Sequence, residues 1–226
     1  MRPYSDRMAP LTVDIWSDVV CPWCYIGKRR FEAALARFEH RDEVEVTWHS
    51  FELDPSAPAV PEGTTAERLA AKYGMTVDEA AQRQEEVAQL AAQDGLTYDL
   101  SGARGGNTFD AHRLTHLGAT RGLGDQVMER LMSAYFSERE AIGDAETLAR
   151  LAVEAGLPED EVSELLAGDG FAQEVRLDED TATRLGIRGV PYFVLGRRYG
   201  LSGAQPADII LQALQQAWDE AHSAAA

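Results

Sequence analysis

No run in these 226 residues approaches the eighteen or so apolar residues that a membrane-spanning helix requires. Basic residues are scarce as well: 21 Lys and Arg against 38 Asp and Glu leave a formal net charge of −17. Nucleic acids and anionic membranes bind through a basic footprint, so that balance argues against both as partners. The opening, MRPYSDRMAPLTVDIW, has no apolar core and no small-residue cleavage site. It reads as a short disordered leader rather than a secretory signal, and the expected location is cytoplasmic. Cysteine is nearly absent, and the only two, Cys21 and Cys24, stand three residues apart. Random placement would give that spacing in roughly one chain of this length in a hundred. Structural disulfides are rare in a reducing cytosol, so the pair points to chemistry and not to a staple.

What is present fits an ordinary globular chain, 45% hydrophobic and 26% charged. LTVDIWS alternates apolar and polar residues and predicts a strand from Leu11 to about Ser17. CYIGKRRFEAALARFEH repeats its apolar residues at helical spacing, and VEVTWHSF predicts a second strand from Val44. Strand, helix, strand makes a right-handed βαβ unit with the cysteines at the first handover. After the Pro-rich DPSAPAVPEGTT the pattern turns helical from Thr64 to about Leu166. Thr76 and Glu79 form a capping box there, and Asn107, Asp125 and Asp144 are candidate caps. A helix then ends at Gly186, a hairpin turns near Gly196 and Arg197, and a closing helix starts at Pro206. The expected organisation is an α/β domain in two parts, residues 1–62 and 169–226, around an inserted helical subdomain, residues 63–168.

A CxxC at a helix start has a specific physical use. The unpaired N–H groups of the first turn and the positive end of the helix favour thiolate at Cys21. Pro22 suits the first helical position because its missing N–H is not needed there. Cys24, one turn deeper, can attack a mixed disulfide on Cys21 and release the partner. The rival reading is a zinc site built from both cysteines with His112 and His116, four apart on one helix. Nearly ninety residues separate the two pairs, far from zinc-finger spacing. Downstream, GVPYFVLG places Pro191 at a strand start, where a cis peptide would present the backbone of Val190 to an extended partner.

Taken in order, SDVVCPWCYIGKRRFEAAL, FELDP, NTFDAHRL and GVPYFVLGRRYGLSGAQP resemble the FrnE-type oxidoreductases of the DsbA family, within the thioredoxin superfamily. The resemblance implies a thioredoxin-like α/β fold with a large all-helical insertion. It implies Cys21 as attacking thiol, Cys24 as resolving thiol and Pro191 as the cis-proline. Pro22 and Trp23 become the dipeptide that tunes redox poise, and with Val190 they meet the substrate. Asn107, His112 and Arg113 would line the groove facing the cysteines. Asp18 either accepts protons beneath the dithiol or only bonds the turn. The implied activity is thiol–disulfide exchange with protein or small-molecule thiols, with no resident cofactor, in a monomer or a homodimer. The related 2-hydroxychromene-2-carboxylate isomerases and kappa-class glutathione transferases share the architecture but generally use a serine and bound glutathione. A glutathione-dependent isomerase is therefore the alternative, and a redox-sensing or chaperone-like binding module is a third.

Overall fold

The computed structural model describes residues 10–223; the expected leader falls on residues 1–9, outside them. Strand β1, Leu11–Ser17, leads into helix α1, Pro22–Arg37, and then strand β2, Val44–Ser50, which lies parallel to β1 with Val13 opposite Val46. Strands β3, Tyr192–Leu195, and β4, Tyr199–Ser202, form the predicted hairpin. Gly196 and Arg197 both take positive φ, +57° and +58°, which gives the tight turn its strand-matching twist. β3 pairs antiparallel with β1, Ile15 opposite Phe193, and the sheet order is β2-β1-β3-β4. A central β1 delivers the cysteines next to the start of β3, although 170 residues of chain lie between them.

The alternation in β1 divides the sheet between two faces. Leu11, Val13 and Ile15 join Phe193 and Leu195 under α1 and the last helix, where Phe31, Phe38, Leu214 and Trp218 complete a hydrophobic core. Each such side chain contributes about 1.5–3 kcal/mol by leaving water. The last two helices are α8, Ala172–Arg184, and α9, Ala207–Ser223. Trp16 points to the opposite face and packs with Ala182 of α8 and with Ile187. Pro206 precedes α9 rather than opening it, and its carbonyl accepts the first turn's N–H groups from Ile209 and Ile210.

Six helices separate the two halves of the sheet: α2, Thr65–Tyr73; α3, Val77–Gln93; α4, Phe109–Thr120; α5, Gly124–Ser137; α6, Ala145–Glu154; and α7, Glu159–Ala167. Capping boxes open α2 at Thr64 with Glu67 and α3 at Thr76 with Glu79, and Asp144 caps α6 through Thr147 N–H. Two expected caps act differently. Asn107 sits one position early, its Oδ1 accepting from Phe109 N–H at 2.9 Å, while Thr108 holds the cap position. Asp125 lies inside the first turn of α5, because its carboxylate is drawn to Lys28 (3.1 Å) and Trp48 Nε1 (3.2 Å).

Leu114, Leu117, Met128, Leu131, Leu148 and Leu151 of the insertion form one continuous core with Val19, Cys21, Cys24, Tyr25 and Ile26. Polar contacts fix the same junction. Lys28, its side chain 1% exposed, meets Glu32, Asp125 and Glu129, and Arg29 and the Tyr25 hydroxyl also bond Glu129. Among the described residues, no helix is long and apolar enough to cross a membrane.

Candidate active site

Cys21 is the N-cap residue of α1, with Pro22 at the first helical position. Its own N–H bonds the Asp18 carbonyl at 3.1 Å, and Cys24 N–H bonds the Cys21 carbonyl at 3.0 Å. That turn holds both sulfurs at the mouth of the helix as free thiols, 4% and 1% exposed. The Cys21 thiol donates to the Val190 carbonyl at 3.5 Å, and the Val190–Pro191 peptide is cis. Pro191 is pinned by Gly203 N–H on its carbonyl at 2.8 Å and rests on Gly27 of α1. Tyr98, from the connection between α3 and α4, donates to the Pro22 carbonyl at 2.7 Å. Trp23 is 41% exposed and forms the outward face of the motif. The structure thus gathers Cys21, Pro22, Trp23, Cys24, Val190 and Pro191 into one place.

The two sulfurs differ in setting. Burial pushes the Cys24 thiol well above its usual range, and the neighbouring Cys21 pushes it further. The Ser17 side chain and the Asp18 backbone act the other way without offsetting this. Asp18 bonds the turn through its backbone carbonyl, and its side chain reaches out of the turn. Its Oδ2 accepts Leu53 N–H at 2.8 Å, tying FELDP to the cysteine loop, while Oδ1 has no hydrogen-bond partner. His112 Nε2 stands 3.5 Å from that oxygen.

The remaining expected groove residues lie further off. Asn107 donates to the Pro55 carbonyl and, through its backbone, to the Pro58 carbonyl, so it stitches the Pro-rich loop to α4. His112 is wholly buried behind the site and presents no surface to a docked partner. Arg113, 4% exposed, is spent on the carbonyls of Gly168 and Gly170, both at 2.7 Å, and on Asp110. His116 turns to Asp178 and Ser50 instead of toward the cysteines. Among the described residues, no group of three or more His, Cys, Asp or Glu side chains could hold a metal ion.

Several contributors were missed in the sequence. Gly27 had a signal, because a glycine inside a helix usually marks a close approach. Tyr98 and Ser17 had none. Nor did the polar network on the α8 face, where His49 bridges Asp14 (2.8 Å) and Asp178 (2.6 Å) and stacks on Trp16 at 4.4 Å between ring centres.

Comparison with known proteins agrees with this geometry. The family model of the DSBA-like thioredoxin domain matches residues 12–215. The structure is similar to that of a probable DsbA oxidoreductase from Streptomyces coelicolor, with 47% identity, a TM-score of 0.89, and coverage of 93% of this chain and 91% of that one. It shares its fold with the cytosolic disulfide reductase DsbM of Pseudomonas aeruginosa with GSH: 24% identity, TM-score 0.62, covering 91% of this chain and 98% of that one. An uncharacterized Bacillus subtilis protein, YwbO, is 27% identical over 213 residues, 89% of this chain and 94% of its own.

Proposed function

The chain belongs to the DsbA-like thioredoxin family, and from that premise we propose that it is a thiol–disulfide oxidoreductase working through Cys21 and Cys24. One observation carries the reading: the only two sulfurs of cysteine sit at the N-terminus of α1, with Cys21 Sγ 3.5 Å from the Val190 carbonyl. The helix end supplies unpaired N–H groups and positive potential where a thiolate must form. Cys21 Sγ attacks one sulfur of a partner disulfide, forms a mixed disulfide, and expels the other sulfur as thiolate. Cys24 then loses its proton and attacks Cys21 Sγ, which closes the internal disulfide and releases the partner reduced. Two electrons pass from the cysteine pair to the partner, and the reverse sequence oxidises a dithiol. The sulfurs carry the electrons, so the proposed reaction needs no resident cofactor.

The proposed partners are protein or small-molecule thiols and disulfides in the cytoplasm. Val190, Pro22 and Trp23 form the surface such a partner meets, with Val190 offering backbone to an extended strand. Glutathione enters as a thiol substrate, a reading supported by the fold shared with DsbM with GSH. The test is dithiothreitol-driven insulin reduction by the wild type and Cys21→Ser. The wild type should precipitate insulin and the variant should not; equal activity would remove Cys21 from the mechanism.

A further inference from the structure

Helix α1 carries three basic residues in a row, Lys28, Arg29 and Arg30. Successive residues of a helix point about 100° apart, so neighbours in the chain serve different surroundings. Lys28 and Arg29 both turn to Glu129 of α5. Arg30 does not: its Nε donates to Asp94 Oδ2 at 2.9 Å and its Nη1 to the Ala204 carbonyl at 2.6 Å. Ala204 lies in the loop that leaves β4, and that loop holds the cis-proline. Gly203, at φ +79°, donates its N–H to the Pro191 carbonyl at 2.8 Å, and Gln205 N–H closes on the Gly203 carbonyl at 2.9 Å. Gly27, on which the Pro191 ring rests, stands three residues before Arg30 and so on the same face of α1. Ala204 and Val190 pack, half-buried, against the core that contains both cysteines. The other anchor is equally firm. Asp94 is the C-cap residue of α3, and after it Gly95 takes φ +77°, Leu96 is buried, and Tyr98 reaches the Pro22 carbonyl. Arg30 thus ties the insertion to the loop beneath Pro191, one guanidinium nitrogen to each.

We propose that Arg30, held by Asp94, is a positioning residue that sets how the Val190 backbone meets an extended polypeptide, and that it thereby selects polypeptide disulfides over small ones. The proposal rests on the oxidoreductase reading and deepens it by naming a substrate class. A small disulfide needs only the sulfur of Cys21, which the first turn of α1 fixes by itself. A polypeptide draws further binding from main-chain bonds along an edge, and those bonds depend on where that edge lies. The edge at Val190 follows Pro191, Pro191 follows Gly203, and Gly203 follows the carbonyl that Arg30 holds. Removing the guanidinium therefore weakens docking while leaving the attacking sulfur as it was. A lysine cannot replace it fully, because a single ammonium lacks the rigid fork that reaches two acceptors in different directions.

Two disulfides with the same leaving group test this. Ellman's reagent has no peptide backbone; the other probe is a short peptide of alternating valine and threonine whose single cysteine carries thionitrobenzoate. With either, Cys21 Sγ bonds one sulfur, the S–S bond of the probe breaks, and thionitrobenzoate leaves with the electron pair. Single-turnover rates against concentration give a half-saturating concentration and a limiting rate. Arg30→Met should raise the half-saturating peptide concentration about tenfold, with the limiting rate and the rate with Ellman's reagent within about twofold of the wild type. Asp94→Asn should raise it about threefold, and Arg30→Lys should recover part of the loss. The wild type should need about tenfold more of the same peptide N-methylated beside its cysteine, and Arg30→Met should scarcely distinguish the two. An unchanged half-saturation in Arg30→Met, an equal fall with both probes, or a wild type indifferent to methylation would overturn the proposal. A wild type that releases no thionitrobenzoate from either probe would instead sink the oxidoreductase reading. Should Arg30→Met fail to fold, Asp94→Asn, Arg30→Lys and the methylated peptide still decide.

Discussion

The ring of Pro191 lies directly on Gly27: a Cβ at position 27 would stand 2.9 Å from Pro191 Cγ and 3.4 Å from its Cβ. Helix α1 accepts a glycine mid-length so that the residue behind Cys21 can approach it. A proline ring has little room to yield, so Gly27→Ala must push α1 and the start of β3 apart. Overpacking of this kind costs about 1–3 kcal/mol. Gly27→Ala should lower the unfolding free energy read from urea titration by that amount and depress insulin reduction more than stability alone explains, because the Cys21–Val190 spacing changes with it. An alanine variant with wild-type stability and activity would show that the contact is slack.

Cys24→Ala separates attack from release. With Cys21 intact and its resolving partner gone, a mixed disulfide should accumulate when the protein meets oxidised insulin or glutathione disulfide. Mass spectrometry after acid quenching reads it as one covalently bound partner per chain. The same variant carrying Cys21→Ser should show none. Cys24→Ala without any adduct would leave the deeper sulfur with no role in release.

The parts of this molecule that were legible in the sequence are those whose cause is local. The alternation of Val13 and Ile15, the Thr76–Glu79 capping box and the CPWC at a helix start each follow from neighbours a few residues apart. The thioredoxin-like fold with its helical insertion followed from their order. What stayed hidden is fixed by partners far along the chain: His49 and Asp178 are 129 residues apart, and Lys28 and Asp125 are 97 apart. Asp125 shows the conflict directly. An aspartate ahead of an apolar run is a fair cap by local rules, yet a buried lysine claims its carboxylate. Only the family resemblance placed His112 in the groove, and nothing local in the sequence tells which face of α4 the neighbouring loop covers; the residue is wholly buried.

The Asp14–His49–Asp178 chain should give stability a pH window. Burial alone would lower His49, but the carboxylates of Asp178 and Asp14 outweigh it and raise His49 above its ordinary 6.5. Burial alone would raise Asp178, but hydrogen bonds from His116, His49 and Ser50 N–H hold it far below its ordinary 3.8. The His49 contribution is complete below pH 6.5 and fades as pH rises through its folded value; the Asp178 contribution is complete above pH 3.8 and fades below. Asp178→Asn should therefore cost most between about pH 4 and pH 6.5, by roughly 1–3 kcal/mol, with a smaller difference on either side. Urea unfolding at a series of pH values measures it. A cost that does not vary with pH would mean that the chain acts by shape and not by charge.

The junction between α1 and α5 makes the last prediction. Burial would raise Glu129, yet Arg29, Tyr25 and Lys28 outweigh it and bring its carboxyl from 4.5 down to about 2. A folded value below the unfolded one stabilises the protein above pH 4.5, and that contribution is lost as pH falls toward about 2. Glu129→Gln leaves Lys28, almost without exposure, with Glu32 and Asp125 only, and takes the carboxylate from Arg29 and Tyr25. Removing one partner of a fully buried pair costs about 3–5 kcal/mol. Glu129 is 31% exposed, so about 2 kcal/mol is the expected loss at neutral pH, shrinking under acid. Because these groups join the cysteine-bearing helix to the insertion, hydrogen exchange in α5 should speed up ahead of exchange in the sheet. Equal acceleration in both would mean that the network adds to global stability without joining the two parts.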